Sequence, residues 1–386
     1  MAILLIPVFP RNTTYYNGSG TITFRLASRK MGGRFEPEKY SFIRRGTNLQ
    51  NIEKSMRSIY IPDNYRIELE DKYAQYQAER ILSIFTEEEL EYIKALCQTD
   101  QSGAEALIVA YLCRPGNFRD LFKYKVKPHV FVAMHVFAQE WQKRLSGQGL
   151  DIKFDITSFL RAPIKDLTTL PFWSELDAMI KDSDNWPAKE RYYYIAKMIC
   201  HASNYGMRAA AFQLNVLEKS RGKIVLSKQE AEHYLSIYHG LFPEIHEWHQ
   251  TIREQLAATK TLYNLFGYPR RFTQELNETN IKEAFAFIPQ STVGCITNIA
   301  YTKLQTYIED TRRSWDMLAN THDSYMGQSL LVQALEFARK QKEFIEMKLT
   351  NFNGESFQMK SETSIGFNWG PWSKSKNTCG LREVKL

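Results

Sequence analysis

Cysteine is scarce in this 386-residue sequence: Cys97, Cys113, Cys200, Cys295 and Cys379 are scattered, and no two form a Cys-x-x-Cys pair. Neither a zinc knuckle nor a disulfide framework is suggested, and reduced thiols in a cytosolic protein fit better. Glycine (19) and proline (13) are too few for a collagen-like or proline-rich chain, and neither an internal repeat nor a low-complexity tract is present. Long hydrophobic runs are missing as well. The opening Met1-Ala-Ile-Leu-Leu-Ile-Pro-Val-Phe-Pro lacks the basic start and the length of a signal peptide, and Arg11 interrupts it before it could span a bilayer. A soluble protein of the cytoplasm, or of a host's cytoplasm if the source is viral, is expected, with no membrane partner. Charge of one sign is lacking too: 50 Lys+Arg against 43 Asp+Glu leave +7, which permits a polyanionic partner without demanding one.

Apolar residues (44%) and aromatic residues (13%) are plentiful, enough to bury a full core, which excludes a disordered chain. At ~150 residues per domain the length suggests two or three domains, or one chain threading between subdomains. Residues 1–67 read as strands and turns. Helical spacing of Ile81, Phe85, Ile93 and Leu96 predicts a charged helix or helical pair over 68–96. A mostly helical stretch follows from Ala106 to Trp141. The segment 166–186 reads as a surface wrap, and 192–215 and 227–259 as two longer helices. Thr321-His-Asp-Ser-Tyr-Met-Gly reads as a tight turn between strands, and the tail after Trp369 as loose.

Three constellations carry chemistry. Asp100-Gln101-Ser102-Gly-Ala-Glu105 places an acid before an apolar helix, where a carboxylate and the next backbone carbonyl can bind a hard cation, or where the acid can simply cap the helix. Lys197, His201 and Tyr205 are four residues apart, one stripe of ammonium, imidazole and phenol on a helix. Such a stripe suits phosphates and a base, and equally a solvated helix face. His322-Asp323-Ser324 puts an acid on an apparent hairpin. Two such acids could hold a Mg²⁺ pair, but spacing alone does not show that Asp100 and Asp323 meet.

In this order the three motifs resemble motifs A, B and C of family A DNA polymerases, the group of bacterial DNA polymerase I and many phage replicases. Asp100, Ser102 and Glu105 match Asp-x-Ser-x-x-Glu; Lys197 and Tyr205-Gly206 match motif B; His322 and Asp323 match His-Asp-Glu. Flanking pieces agree: Thr23-Phe-Arg25-Leu-Ala-Ser, Asn48-Leu-Gln50-Asn-Ile, Phe118-Arg-Asp-Leu-Phe with Pro128-His129, Pro289-Gln290-Ser-Thr and Gly366-Phe-Asn368-Trp369. The resemblance covers roughly residues 20–370. Asp71-Lys-Tyr-Ala-Gln-Tyr-Gln-Ala-Glu79 also looks like motif A, but only Asp100 is followed at the right distances by the later elements.

The resemblance implies that Asp100, the Gln101 carbonyl and Asp323 hold two Mg²⁺ ions, and that Lys197 grips the incoming phosphates and serves the leaving pyrophosphate. His201 and Tyr205 would lie by the dNTP, with Glu105 crowding the 2′ position of its sugar. Arg25, Asn48, Gln50, Gln290, His322 and Gly206 would contact primer-template DNA. Three departures stand out. Tyr193 occupies the position four before the Lys where the family has Arg, and Arg191, six before, would point about 120° away from the Lys stripe on a regular helix. His201 replaces the usual aromatic, and Ser324 replaces the motif C Glu.

The implied fold is an α+β right hand. The palm, with an antiparallel sheet, is expected from residues 1–112 (with the insertion at 68–96) and 286–370, mostly helical fingers from 113–285, and a tail from 371–386. Thumb and 3′–5′ exonuclease are not recognised, so a split polymerase with a second polypeptide is expected. Two rival readings stay open: a single-subunit RNA polymerase relative, whose motif C often reads His-Asp-Ser, and a catalytically inert DNA-binding or assembly subunit.

Overall fold

The computed structural model describes residues 14–17, 27–30, 57, 86–146 and 154–386. Arg25, Asn48, Gln50, Asp71 and most of the 68–96 segment lie outside the described residues. The chain divides into two compact units: the first holds residues 1–104, 290–350 and 356–386, the second 105–289 and 351–355. The breaks thus fall after Ala104 and after Pro289, near the middle of one helix, Glu278–Thr311. Residues 371–386 belong to the first unit rather than forming a separate tail.

In chain order the described strands are β1 (Thr14–Asn17), β2 (Ala27–Lys30), β3 (Lys94–Gln101), β4 (Thr261–Tyr263), β5 (Pro269–Arg271), β6 (Asp316–Thr321), β7 (Ser324–Leu330), β8 (Lys348–Thr350), β9 (Ser356–Gln358), β10 (Ser361–Gly366) and β11 (Arg382–Val384). The first unit is built on an antiparallel sheet in the order β11-β10-β3-β7-β6. Its central strand corrects the expected helix: Lys94 to Leu96 are extended, and within 86–93 only Glu87–Leu90 is helical. The apolar spacing that suggests a helix there is overridden because β3 is paired on both edges, where strand preference is decided by neighbours and burial.

Side chains alternate across β3. Ala95, Cys97, Thr99 and Gln101 are all buried. Cys97 donates to the Ala334 carbonyl at 3.6 Å, and the Thr99 hydroxyl donates to Gln341 at 3.1 Å, on the helix Ala334–Ile345. Gln341 returns an N–H to the Cys97 carbonyl at 3.2 Å, so a buried polar residue is satisfied by the strand it covers. On the other face Leu96 packs with Ala319, Met326 and Trp369, and the Trp369 indole donates to Gln98 at 2.7 Å. The chain after Trp369 is not loose. β11 pairs with β10, and Asn368 and Asn377 exchange side-chain hydrogen bonds of 2.8 and 3.0 Å.

The second unit is mainly helical. The two long helices expected are each broken. Tyr192–Asn204 ends at Tyr205-Gly206 and a new helix begins at Ala209. Lys228–Leu241, opened by a capping box of Ser227 and Glu230, ends before Pro243 starts the helix Pro243–Thr259. Residues 166–186 do more than wrap a surface, since Leu167, Leu176 and Ile180 are fully buried. No helix among the described residues is long and apolar enough to cross a membrane.

Gly327, in the middle of β7 opposite Cys97, leaves no room for a side chain. An added Cβ would lie 2.6 Å from the Asp316 backbone carbonyl and 2.5 Å from the Phe337 ring. Gly327→Ala is therefore expected to destabilise the protein by about 1–3 kcal/mol through overpacking. Denaturant unfolding monitored by Trp fluorescence checks this; an unchanged midpoint would contradict it.

Candidate functional site

In the first unit, strand pairing brings together the two acids that sequence spacing could not connect. β3 ends at Asp100-Gln101, and β6 and β7 form a hairpin whose turn is His322-Asp323. Asp100 pairs with Ser324, and the Gln101 N–H donates to the Asp323 carbonyl at 2.9 Å, so Asp100 and Asp323 sit one residue out of register at the same end of the sheet. The turn is held from below: Gln101, 3% exposed, donates to the Thr297 hydroxyl at 2.6 Å, and Thr297 donates to the His322 carbonyl at 3.0 Å. His322 has φ 63°, the left-handed conformation that the first residue of a two-residue hairpin loop takes.

Glu362 and Arg57 also lie at this end, and motif reading had not singled them out. Glu362 on β10 pairs with Asp100 from the other side, and its carboxylate accepts the Ser102 hydroxyl at 3.0 Å. Directly opposed residues share a face with Cβ atoms roughly 4.5–5.5 Å apart, so Glu362 places a third carboxylate beside Asp100. Ser324, in the position of the motif C Glu, is buried with its hydroxyl bonded to Thr321 and to the Gln98 amide at 3.3 Å. Arg57 lies 4.5 Å over the Trp369 ring; burial lowers its pKa while the Asp100 charge raises it. The partner of β3 at this register was the signal that could have found Glu362, and a single sequence does not carry it.

Carboxylate oxygens with a backbone carbonyl are the donor set that a hard cation accepts, and Mg²⁺ needs only one or two protein carboxylates because substrate phosphates supply the rest. Among the described residues no group of three or more His, Cys, Asp and Glu side chains is arranged to hold a metal by itself. Asp100, Asp323 and the Gln101 carbonyl would be an open donor set for a hard cation, one that needs further ligands from outside the protein.

In the second unit, Lys197, His201 and Tyr205 do form one stripe along and just past the helix Tyr192–Asn204. The Lys197 ammonium is 3.0 Å from the Asp184 carboxylate and 4.4 Å from the centre of the Tyr193 ring. His201 and Tyr205 meet edge to face at 5.0 Å, and the Tyr205 hydroxyl donates to Glu105. Tyr193 is buried, edge-on to His129 at 5.9 Å. Arg191 departs from the expected direction. It precedes the helix, at φ −77° and ψ 60°, and its guanidinium donates to the carbonyl (2.7 Å) and carboxylate (3.1 Å) of the same Asp184. A helical wheel misplaces it because the helix has not begun.

The end of this helix is a Schellman motif: Met207 N–H donates to Ala202 (2.9 Å) and Gly206 N–H to Ser203 (3.1 Å), with Gly206 at φ 66°. Asn204 is fixed from two sides, its amide oxygen by the Tyr238 hydroxyl at 2.6 Å and its carbonyl by His249 at 2.8 Å. A Cβ on Gly206 would approach the Phe285 ring to 2.9 Å. Gly206 is thus required here by backbone and packing. Gln290 lies on the helix Glu278–Thr311, one residue after Pro289, in the first unit.

No known family profile and no curated protein matches this sequence. Among solved structures, the fold is similar to the POL domain of Pol1 from M. smegmatis in complex with DNA primer-template and dNTP. The TM-score is 0.57 at 16% identity; the match covers 92% of this chain and 47% of that one. The chain thus spans about half the length of this neighbour, and the likeness is one of fold.

Burial, with Lys197 and Lys127 nearby, pushes His129 down to about 4, and burial does the same to His249 despite its backbone bond. Both are neutral in the folded protein at pH 6, whereas an unfolded chain binds protons there, at the ordinary His value of about 6.5. Stability present above that value is therefore lost as pH falls from about 6.5 toward 4, by up to about 1.4 kcal/mol per pH unit for each His. Urea midpoints at pH 7 and pH 5 should show this loss, and replacing both imidazoles with Gln should flatten the dependence. A stability that rises on acidification would contradict the assignment.

Proposed function

We propose that the chain is the palm-and-fingers part of a template-dependent DNA polymerase, adding dNTPs to a primer 3′-hydroxyl. The observation that carries this reading is the meeting of Asp100 and Asp323 at one end of an antiparallel sheet, in a fold similar to that of a polymerase domain. The chemistry needs no covalent intermediate on the protein, because phosphoryl transfer is catalysed by positioning and charge stabilisation. Asp100, the Gln101 carbonyl and Asp323 would hold two Mg²⁺ ions, with the Glu362 carboxylate beside them. Such ions would supply Lewis acidity, favouring an ionised primer hydroxyl and offsetting negative charge on the triphosphate.

In the second unit, Lys197 binds the incoming triphosphate and donates a proton to the leaving group. His201 and Tyr205 flank the sugar and base. The hydrogen bond from Tyr205 pins Glu105, which stands against the 2′ position and so favours deoxynucleotides. Gln290 and His322, with Arg25, Asn48, Gln50 and Gly206, contact primer and template. Minor-groove acceptors are common to all base-pair orientations, so donors of this kind check pair shape without reading sequence. A second polypeptide that grips the duplex belongs to the same proposal, and primer extension should become more processive when it is added.

An RNA polymerase relative and an inert DNA-binding subunit are the competing readings. Asp100→Ala and Asp323→Ala should each abolish primer extension while DNA binding, followed by fluorescence anisotropy, persists; Asp71→Ala should extend as the parent does. Loss of extension in Asp71→Ala with retention in Asp100→Ala would overturn the site, and no extension by the parent under any condition would favour the inert subunit. Side-by-side dNTP and NTP incorporation decides the sugar. Glu105→Ala should raise NTP use relative to dNTP by about tenfold, equivalent to about 1.4 kcal/mol at the transition state.

A further inference from the structure

The cation pair at the start of the Tyr192–Asn204 helix has an arrangement that the proposed reaction does not explain. Asp184 sits in a short 3-10 turn (Ser183–Asn185) fixed by hydrogen bonds from the Ser183 hydroxyl to Ile180 (2.6 Å) and from the Tyr193 N–H to that hydroxyl (2.9 Å). Each oxygen of its carboxylate takes one cation: Arg191 on Oδ1 at 3.1 Å, Lys197 on Oδ2 at 3.0 Å. The guanidinium lies over the Tyr194 ring at 4.4 Å and the ammonium over the Tyr193 ring at 4.4 Å. Two positive charges thus converge on a single negative one, and the side chains remain 28–41% exposed.

We propose that Asp184 is an exchangeable stand-in for phosphate: it holds Arg191 and Lys197 together, and the terminal phosphates of a nucleoside triphosphate displace it. Three arguments support the exchange. Half-exposed ion pairs of this kind contribute little, so the carboxylate can be displaced. A triphosphate brings several negative charges and many more acceptor oxygens to the same donors, and charge-assisted bonds from a guanidinium to phosphate are strong and directional. Arg191 also keeps a bond to the Asp184 backbone carbonyl, which a displaced side chain leaves untouched, so the guanidinium stays beside Lys197. This inference rests on the reading of Lys197 as a triphosphate ligand.

Titration calorimetry of inorganic tripolyphosphate against the full chain tests it apart from catalysis. Asp184→Asn should tighten binding by about threefold to tenfold, because a competing ion pair is removed. Asp184→Glu, which keeps the charge, should stay near the parent affinity. Arg191→Gln added to Asp184→Asn should weaken binding about tenfold. Lys189→Gln, an exposed charge change two residues away, should leave affinity unchanged. Weaker or unchanged binding in Asp184→Asn, indifference to Arg191→Gln, or no tripolyphosphate binding by any form would overturn the proposal. Tripolyphosphate responses as expected in a chain that does not extend primers would instead sink the polymerase reading and leave this one standing.

Discussion

Strand β3 is paired on both edges, and most of the first unit follows from that constraint. Its register with β7 sets Asp100 opposite Ser324 and so delivers the hairpin turn to the end of β3; its register with β10 sets Glu362 on the other side. Because strand side chains alternate with a period of two, slipping either pairing by one residue would turn Asp100 onto the face covered by Gln341 and its helix, and would turn Cys97 and Thr99 away from it. Burying an unpaired carboxylate there would be costly, so the same burial that stabilises the sheet also forbids the wrong register. The polar lock from Gln101 through Thr297 to His322 then fixes the turn itself, including the positive φ of His322 that a two-residue hairpin loop calls for.

The second unit solves a related problem with a helix end. A stripe of Lys197, His201 and Tyr205 is useful only if its last member is held still, and Tyr205 lies past the last helical residue, where fraying is the default. Three devices remove that freedom: the Schellman bonds, the capture of Asn204 by Tyr238 and His249, and the bond from Tyr205 to Glu105. Burial keeps His249 neutral; its ring stacks on Phe285 at 4.0 Å, and Phe285 is also the group that excludes a side chain at Gly206. Packing, protonation and backbone conformation are therefore one constraint at this helix end.

How much of this could be read from sequence depended on how local each feature is. The hairpin at His322-Asp323, the stripe of period four and the pairing of helical and strand-rich segments are set by neighbours within a few residues, and they were legible. Glu362 was not, because its relation to Asp100 is made across 262 residues of chain by strand pairing. Leu96 was misassigned since its apolar spacing fits a helix and only the two flanking strands make it extended. Arg191 was misdirected by assuming a helix that starts one residue later. Lys376 and the rest of the terminal segment looked loose by composition, although Asn368, Asn377 and Gly380 tie it to the sheet through backbone and amide bonds that composition does not encode.

The net charge of +7 says little about function because the charges that matter are balanced locally. Asp100 feels the Arg57 guanidinium in one unit, and Lys197 and Arg191 share Asp184 in the other. A fully buried pair would orient its members more firmly, but removing either partner would then leave an uncompensated charge in a low dielectric, at several kcal/mol. A fully exposed pair would be exchanged freely and orient nothing. The half-exposed pairs of Asp184 with Arg191 and Lys197, set over the Tyr194 and Tyr193 rings, lie between these limits. They hold each charge in place in the folded chain without burying it. Local neutralisation of this kind is what a site for a highly charged ligand requires if the protein is also to be stable without it.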